Sequence, residues 1–222
     1  DELFTLETGL MYMKSDDSDV TGISIDVSKG DEFISKLPFE LTSGQRESWN
    51  EIKDDLQKPK KMNRLLQGDV GSGKTIIAEA AMLSAAASGF QSVIMAPTEL
   101  LARQHFDTFV KDLSDHEISP VILISSMKAS DKRMAMESIS SGKAKVIIAT
   151  HAVLEENIVF KNLGLVITDE QHRFGVNQRR KLSGKGEGVN ILVMTATPIP
   201  RTIAAILYGD LDISQIRTMP KG

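Results

Sequence analysis

Eight consecutive residues, Gly68-Asp69-Val70-Gly71-Ser72-Gly73-Lys74-Thr75, satisfy the pattern G-x-x-x-x-G-K-[ST]. Small residues at these positions let successive backbone N–H groups curl around phosphate oxygens, and a helix beginning at the end of the run would aim its positive end at the same anion. Lys74 would reach the β- and γ-phosphates as a point charge, and Thr75 would offer its hydroxyl to Mg2+. A glycine-rich strand-to-helix turn without any ligand is the bland alternative, but the complete pattern between an apolar run and a helical run argues for the phosphate. By itself the pattern says only that a nucleoside triphosphate such as ATP is held. Small kinases, GTPases, transport ATPases and helicases all use it.

A second chemical signal lies about 100 residues further on. Leu165-Val166-Ile167-Thr168 runs into Asp169-Glu170-Gln171-His172. An apolar strand ending in two carboxylates delivers them to the sheet edge where the phosphates lie. There Asp169 suits Mg2+ and Glu170 is placed to polarise an attacking water. This pairing favours hydrolysis over transfer to another acceptor. A lone histidine is more often a satisfied polar residue than a ligand; two positions after the carboxylates, His172 reads as a relay between the nucleotide and the rest of the domain.

These residues need a scaffold that brings distant strand ends together. Short runs rich in Val, Ile and Leu occur at 63–67, 92–96, 121–125, 145–150, 164–168 and 190–195, without polar alternation, as expected of strands buried on both faces. Amphipathic helical patterns occupy 75–88, 99–113, 131–141 and 174–182, and Gly89 is suited to end the first. The alternation predicts an α/β fold: a mostly parallel sheet with helices on both faces, three layers in all, binding ligands at the carboxyl ends of its strands.

The 222 residues are 41% hydrophobic and 25% charged, ample for one packed core. The absence of cysteine removes disulfides, thiolate metal sites and cysteine nucleophiles, and agrees with a cytoplasmic setting. The longest mostly apolar stretch, 76–90, is broken by Glu79 and Ser84 and is shorter than the roughly 20 residues of a membrane span. Neither a membrane partner nor a signal peptide is expected. The net charge of −4 is unevenly placed: residues 1–36 hold 9 acidic and 3 basic side chains, leaving 21 and 23 for residues 37–222. The expected division is therefore an acidic, polar appendage over 1–36, mobile over 14–30, and a nearly neutral domain over 37–222. A first residue of Asp1 and an end just after an apolar run suggest an excised piece of a longer chain.

The order of motifs resembles that of superfamily 2 helicases. Residues 37–45, 62–75, 95–105, 160–179, 192–202 and 208–212 are similar to the RecG type of bacterial ATP-dependent DNA helicase, and the DEQH reading of Asp169 to His172 fits that type better than the DEEH of transcription-repair coupling translocases. Ala149 departs from the glycine usual before a Thr-His pair. The resemblance implies a RecA-like P-loop lobe, the first of two. Phe39 and Gln45 would hold the adenine, residues 68–75 the phosphates, and Thr98, Thr150 and His151 the phosphates of DNA. Gln171, His172, Thr195 and Thr197 would couple the two sites. It further implies that residues 1–36 are a linker stub from a branch-gripping wedge domain. The partners would be branched double-stranded DNA, the wedge and the second lobe, in the nucleoid-bearing cytoplasm of a bacterium, and the lobe alone would bind nucleotide but hydrolyse it poorly. Thr98 has a second reading as a helix N-cap. Open alternatives are a translocase lobe of the transcription-repair type, a phosphotransferase and a nucleotide-binding module inactive without its second lobe.

Overall fold

The computed structural model describes residues 21–116, 118–169, 181–197 and 211–219. Helix α1 (Ser28–Ser35) and helix α2 (Ser43–Leu56) precede strand β1 (Asn63–Gly68). Then follow α3 (Lys74–Ala87), β2 (Gln91–Met95), α4 (Glu99–Asp112), β3 (Val121–Leu123), α5 (Ala129–Ser140) and β4 (Val146–Ala149). The sheet is completed by β5 (Leu163–Thr168), β6 (Asn190–Thr195) and β7 (Asp212–Ile216). The seven strands lie in the order β3-β4-β2-β5-β6-β1-β7. Every pairing among these seven strands is parallel, as the unbroken apolar runs predicted.

Alternate side chains feed the two faces. Ile94, Ile148 and Ile167 join Ala102 and Phe109 of α4 and the apolar side of α3 in one cluster. Their neighbours Val93, Met95, Ile147 and Val166 pack with Ala135 and Ile139 of α5 on the other. Burial on both faces is what a sheet of crossover connections requires. Among the described residues, no helix is long and apolar enough to cross a membrane.

The packing does not divide between residues 36 and 37. Ile25, Val27 and Phe33 are buried in the same cluster as Trp49, Ile52 and the α3 core. Asp31 accepts from the Trp49 indole at 2.7 Å and pairs with Lys53. Gly30 permits the close approach of α1 to α3, since a Cβ there would press on Ser84 Oγ at 2.5 Å and Ala80 O at 2.7 Å. Residues 22–30 thus differ from the expected mobile segment. Three well-spaced apolar residues among many acids suffice when each has a groove to fill. Residues 1–20 lie outside the described set.

Two features of β7 escaped the sequence reading. It forms the sheet edge beside β1, and Arg64 of β1 ties it inward. The Arg64 guanidinium donates to Ser214 Oγ of β7 at 2.9 Å while pairing with Asp55 of α2 at 2.7 Å and Glu51 at 3.2 Å.

Candidate nucleotide-binding site

Parallel pairing places every strand's carboxyl end on one edge. Met95 lies beside both Ala149 and Thr168, and Gln67 beside Thr195. The loop after β1 and the carboxylate after β5 are separated by one intervening strand, roughly 10 Å at the usual strand spacing. This is where the fold rule puts a ligand.

The glycine-rich loop is shaped for close backbone approach. Gly71 and Gly73 have φ of +80° and +90°, the left-handed region that an L side chain rarely enters. Gly73 caps α3 in that conformation, and a Cβ on it would run into the Gln45 amide. Lys74 opens α3, is buried, and donates to Gly68 O at 2.6 Å and Asp69 O at 2.9 Å, so its ammonium folds back over the loop. Thr75, in the first helical turn, is half-buried, while Asp69 and Val70 at the tip are exposed. Ser72 is enclosed, and among the described residues its hydroxyl is without a hydrogen-bond partner.

Gln45 is placed differently from a residue waiting for a base. It forms a capping box with Thr42 at the start of α2, its Oε1 accepting from Thr42 N at 2.8 Å, and its Nε2 donates to Ser72 O at 2.8 Å. Only 1% exposed, it fastens α2 to the phosphate loop. Phe39 is half exposed and, with Arg46 and Trp49, lines an open cleft of about 510 Å³ beside it.

Asp169 directly follows β5 and is buried. Its N–H donates to Met95 O at 3.0 Å, and its Oδ2 meets His105 Nε2 at 2.7 Å. His105 was not among the expected site residues; nothing in a run of helical residues signals a partner 64 positions away. Glu170, Gln171 and His172 lie outside the described residues. On β6, Thr195 is buried, its Oγ1 3.0 Å from Thr197 Oγ1 and accepting from Thr197 N; Gln67 donates to Thr197 O at 3.2 Å. That chain of bonds links the end of β1 to the segment after β6.

Thr98 is the N-cap of α4, accepting from Leu101 N at 3.2 Å. Capping uses an oxygen lone pair, so the hydroxyl proton can still be donated outward, and the two readings of Thr98 are compatible. The neighbouring Glu99 accepts from Ser126 N at 3.0 Å and from Ser126 Oγ, clasping the 125–127 loop to the helix start. Thr150 and His151 separate: His151 is exposed, whereas Thr150 is 1% exposed with its hydroxyl enclosed and, among the described residues, unbonded. A hydroxyl so enclosed does not face a nucleic acid, which leaves His151 as the outward member of the pair.

The profile of DEAD/DEAH box helicases matches residues 42–206. The chain belongs to the DEAD/DEAH box helicase family. ATP-dependent DNA helicase RecG of Staphylococcus epidermidis is 46% identical over the whole chain, which covers 33% of that protein. RecG of Staphylococcus aureus strain NCTC 8325 is 45% identical, with 32% covered. The DEAD/DEAH chain therefore spans about a third of the curated relatives it matches. Among solved structures, RecG bound to a three-way DNA junction superposes with a TM-score of 0.85 at 43% identity, over all of this chain and 30% of that one. The helicase MrfA bound to DNA and AMPPNP gives 0.67 at 16% identity over 95% of this chain and 34% of that one, a likeness of fold alone.

Family membership implies the use of a nucleotide. The donor set also fits Mg2+: Thr75 and Asp169 offer hard oxygen atoms, and among the described residues no group of three or more His, Asp and Glu side chains gathers into a cage. Magnesium is commonly held by one or two such groups together with phosphates and water.

Proposed function

We propose that this chain is the ATP-binding motor lobe of a RecG-type helicase, which couples ATP hydrolysis to the remodelling of branched DNA in repair and recombination. The observation that carries the reading is the 43% identity and 0.85 TM-score over the entire chain to RecG on a three-way DNA junction. The same reading brings a bacterial, nucleoid-associated, cytoplasmic location. It also brings two further parts of the full-length protein: a second RecA-like lobe and a wedge domain, with residues 1–36 as the segment leading from the wedge.

In this mechanism the backbone N–H groups of residues 71–75 and the N-terminus of α3 receive the phosphate oxygens. Lys74, which donates to the Gly68 and Asp69 carbonyls, turns its charge to the β- and γ-phosphates when a triphosphate binds. Phe39 and Arg46 flank the base, and Gln45 holds α2 and the loop in register, so that base and phosphate are sensed together. Thr75 and Asp169 would hold Mg2+, which would supply neutralisation of charge on the transferring phosphoryl group. Glu170 orients and deprotonates the attacking water. Gln171, His172 and the Thr195–Thr197–Gln67 bonds carry the change to the DNA-facing loops at Thr98 and His151. Phosphoryl transfer needs positioning and charge stabilisation more than covalent chemistry. An arginine supplied by the second lobe would complete the site, so this lobe alone should bind ATP and turn it over slowly.

The test uses the full-length helicase. Lys74→Ala should reduce DNA-stimulated ATP hydrolysis to background, on the order of 10³-fold for loss of a principal charge on the phosphoryl group. Glu170→Gln should retain ATP binding and lose turnover. Undiminished hydrolysis in Lys74→Ala, or lost binding in Glu170→Gln, would overturn the assigned roles.

A further inference from the structure

We propose that His105 is the positioning residue for the Asp169 carboxylate, and that through it helix α4 acts as a rigid strut between the DNA-facing loop at Thr98 and the nucleotide site. The proposal deepens the motor-lobe reading and rests on it, since it assumes that Asp169 serves magnesium and that Thr98 faces DNA.

A carboxylate at a strand end rotates broadly about its last torsion unless something holds it. Here His105 Nε2 lies 2.7 Å from Asp169 Oδ2, with only 11% and 12% of the two side chains exposed. Because a carboxylate offers only lone pairs, the imidazole must donate in this bond whatever the state of its other nitrogen. Oδ1 takes no part in this bond. A charge-assisted bond in so enclosed a place fixes orientation more firmly than the same bond in water.

The imidazole is itself held. It meets the Phe109 ring edge to face, with centroids 6.4 Å apart and planes at 84°, and Phe109 is completely buried one turn further along α4. Ala102, His105 and Phe109 follow one another at three- and four-residue spacing, so the helix face that enters the core also carries the imidazole. The backbone beneath Asp169 is gripped from the same side, its N–H bonded to Met95 O at the end of β2, just before the loop that leads into α4.

At its other end α4 begins at the Thr98 cap and is clasped to the 125–127 loop by Glu99. His105 lies seven residue steps beyond Thr98 along the helix, a span of roughly 10 Å. A well-packed helix shifts as a unit, so a displacement of its first turn arrives at the His105–Asp169 bond nearly undiminished. The strut works in both directions: a duplex pulling on Thr98 re-aims the carboxylate, and nucleotide held at the carboxylate re-aims the loop.

The test substitutes His105 in the full-length helicase in two ways. His105→Leu removes the donor at similar volume; His105→Gln keeps an N–H near the Nε2 position. The first readout is binding of a fluorescent ADP analogue with and without Mg2+, and the second is the ratio of branched-DNA-stimulated to basal ATP hydrolysis. His105→Leu should raise the Mg2+ concentration giving half-maximal tightening by about tenfold, as removal of groups that hold a metal-bound ligand does elsewhere. It should leave Mg2+-free ADP binding unchanged and lower the stimulation ratio. His105→Gln should restore both to within about twofold. An unchanged Mg2+ requirement and stimulation in His105→Leu overturns the proposal, as does equal loss of Mg2+-free binding or failure of His105→Gln to rescue, because those are the marks of simple packing. Asp169→Asn serves as the control. If it too leaves the Mg2+ requirement unaltered, the underlying reading of Asp169 has failed; if it alone raises the requirement, only the strut has.

Discussion

Helix α3 carries Lys74 and Thr75 toward the candidate site and also holds a buried acid, Glu79, with no exposed surface and, among the described residues, no hydrogen-bond partner for either carboxyl oxygen. Burial, reinforced by the negative charge of Asp112, pushes its pKa from 4.5 up to about 8. At neutral pH the folded chain therefore keeps Glu79 protonated, whereas the unfolded chain releases the proton. A folded pKa above the unfolded one gives stability that is complete below about pH 4.5 and is lost as pH rises through about 8. Within that window each pH unit costs about 1.4 kcal/mol, so roughly 3 kcal/mol is gone by pH 7. Glu79→Gln keeps the shape and cannot ionise. Urea unfolding of the parent and variant chains between pH 5 and 8.5 should show their stability difference shifting toward the variant by about 1.4 kcal/mol per pH unit, then levelling above pH 8. A difference that stays constant over that range would refute the buried-acid reasoning.

Two further perturbations test the scaffold around the site. Gln91 is fully buried and donates to Ile139 O and Ala144 O while accepting from the N–H groups of Lys161 and Asn162. Gln91→Leu strands those two donors and should cost roughly 3 kcal/mol in chemical denaturation, and a loss below half that would show that the loops re-pair. Thr98→Ala should cost about 1 kcal/mol through the lost cap and also weaken DNA binding in the full-length protein. Thr98→Ser should restore both, and recovery of stability without recovery of binding would limit Thr98 to capping.

The phosphate loop and the strand ending at Asp169 were legible in the sequence because each is a local signal: eight residues whose types suit one backbone shape, and an apolar run whose end can be counted. The same holds for the other core strands, whose buried faces leave no polar alternation. The edge strand β7 was not legible, since Asp-Ile-Ser-Gln-Ile alternates like many loops and becomes a strand only by pairing with β1. Nor was the inclusion of Ile25, Val27 and Phe33 in the core, where charge composition over 36 residues outweighed three apolar positions whose grooves lie on α2 and α3. Gln45 stood out in the sequence as a candidate, but its hold on Ser72 across 27 positions did not. His105 left no mark at all. Sequence by itself determined the candidate chemistry of this chain and the layered sheet that presents it, because backbone shape and apolar periodicity are properties of neighbours along the chain. Only the tertiary structure decided which side chains hold that chemistry in place, because the bonds from Gln45 to Ser72 and from His105 to Asp169 exist only once strand order and helix packing have closed the distances between them.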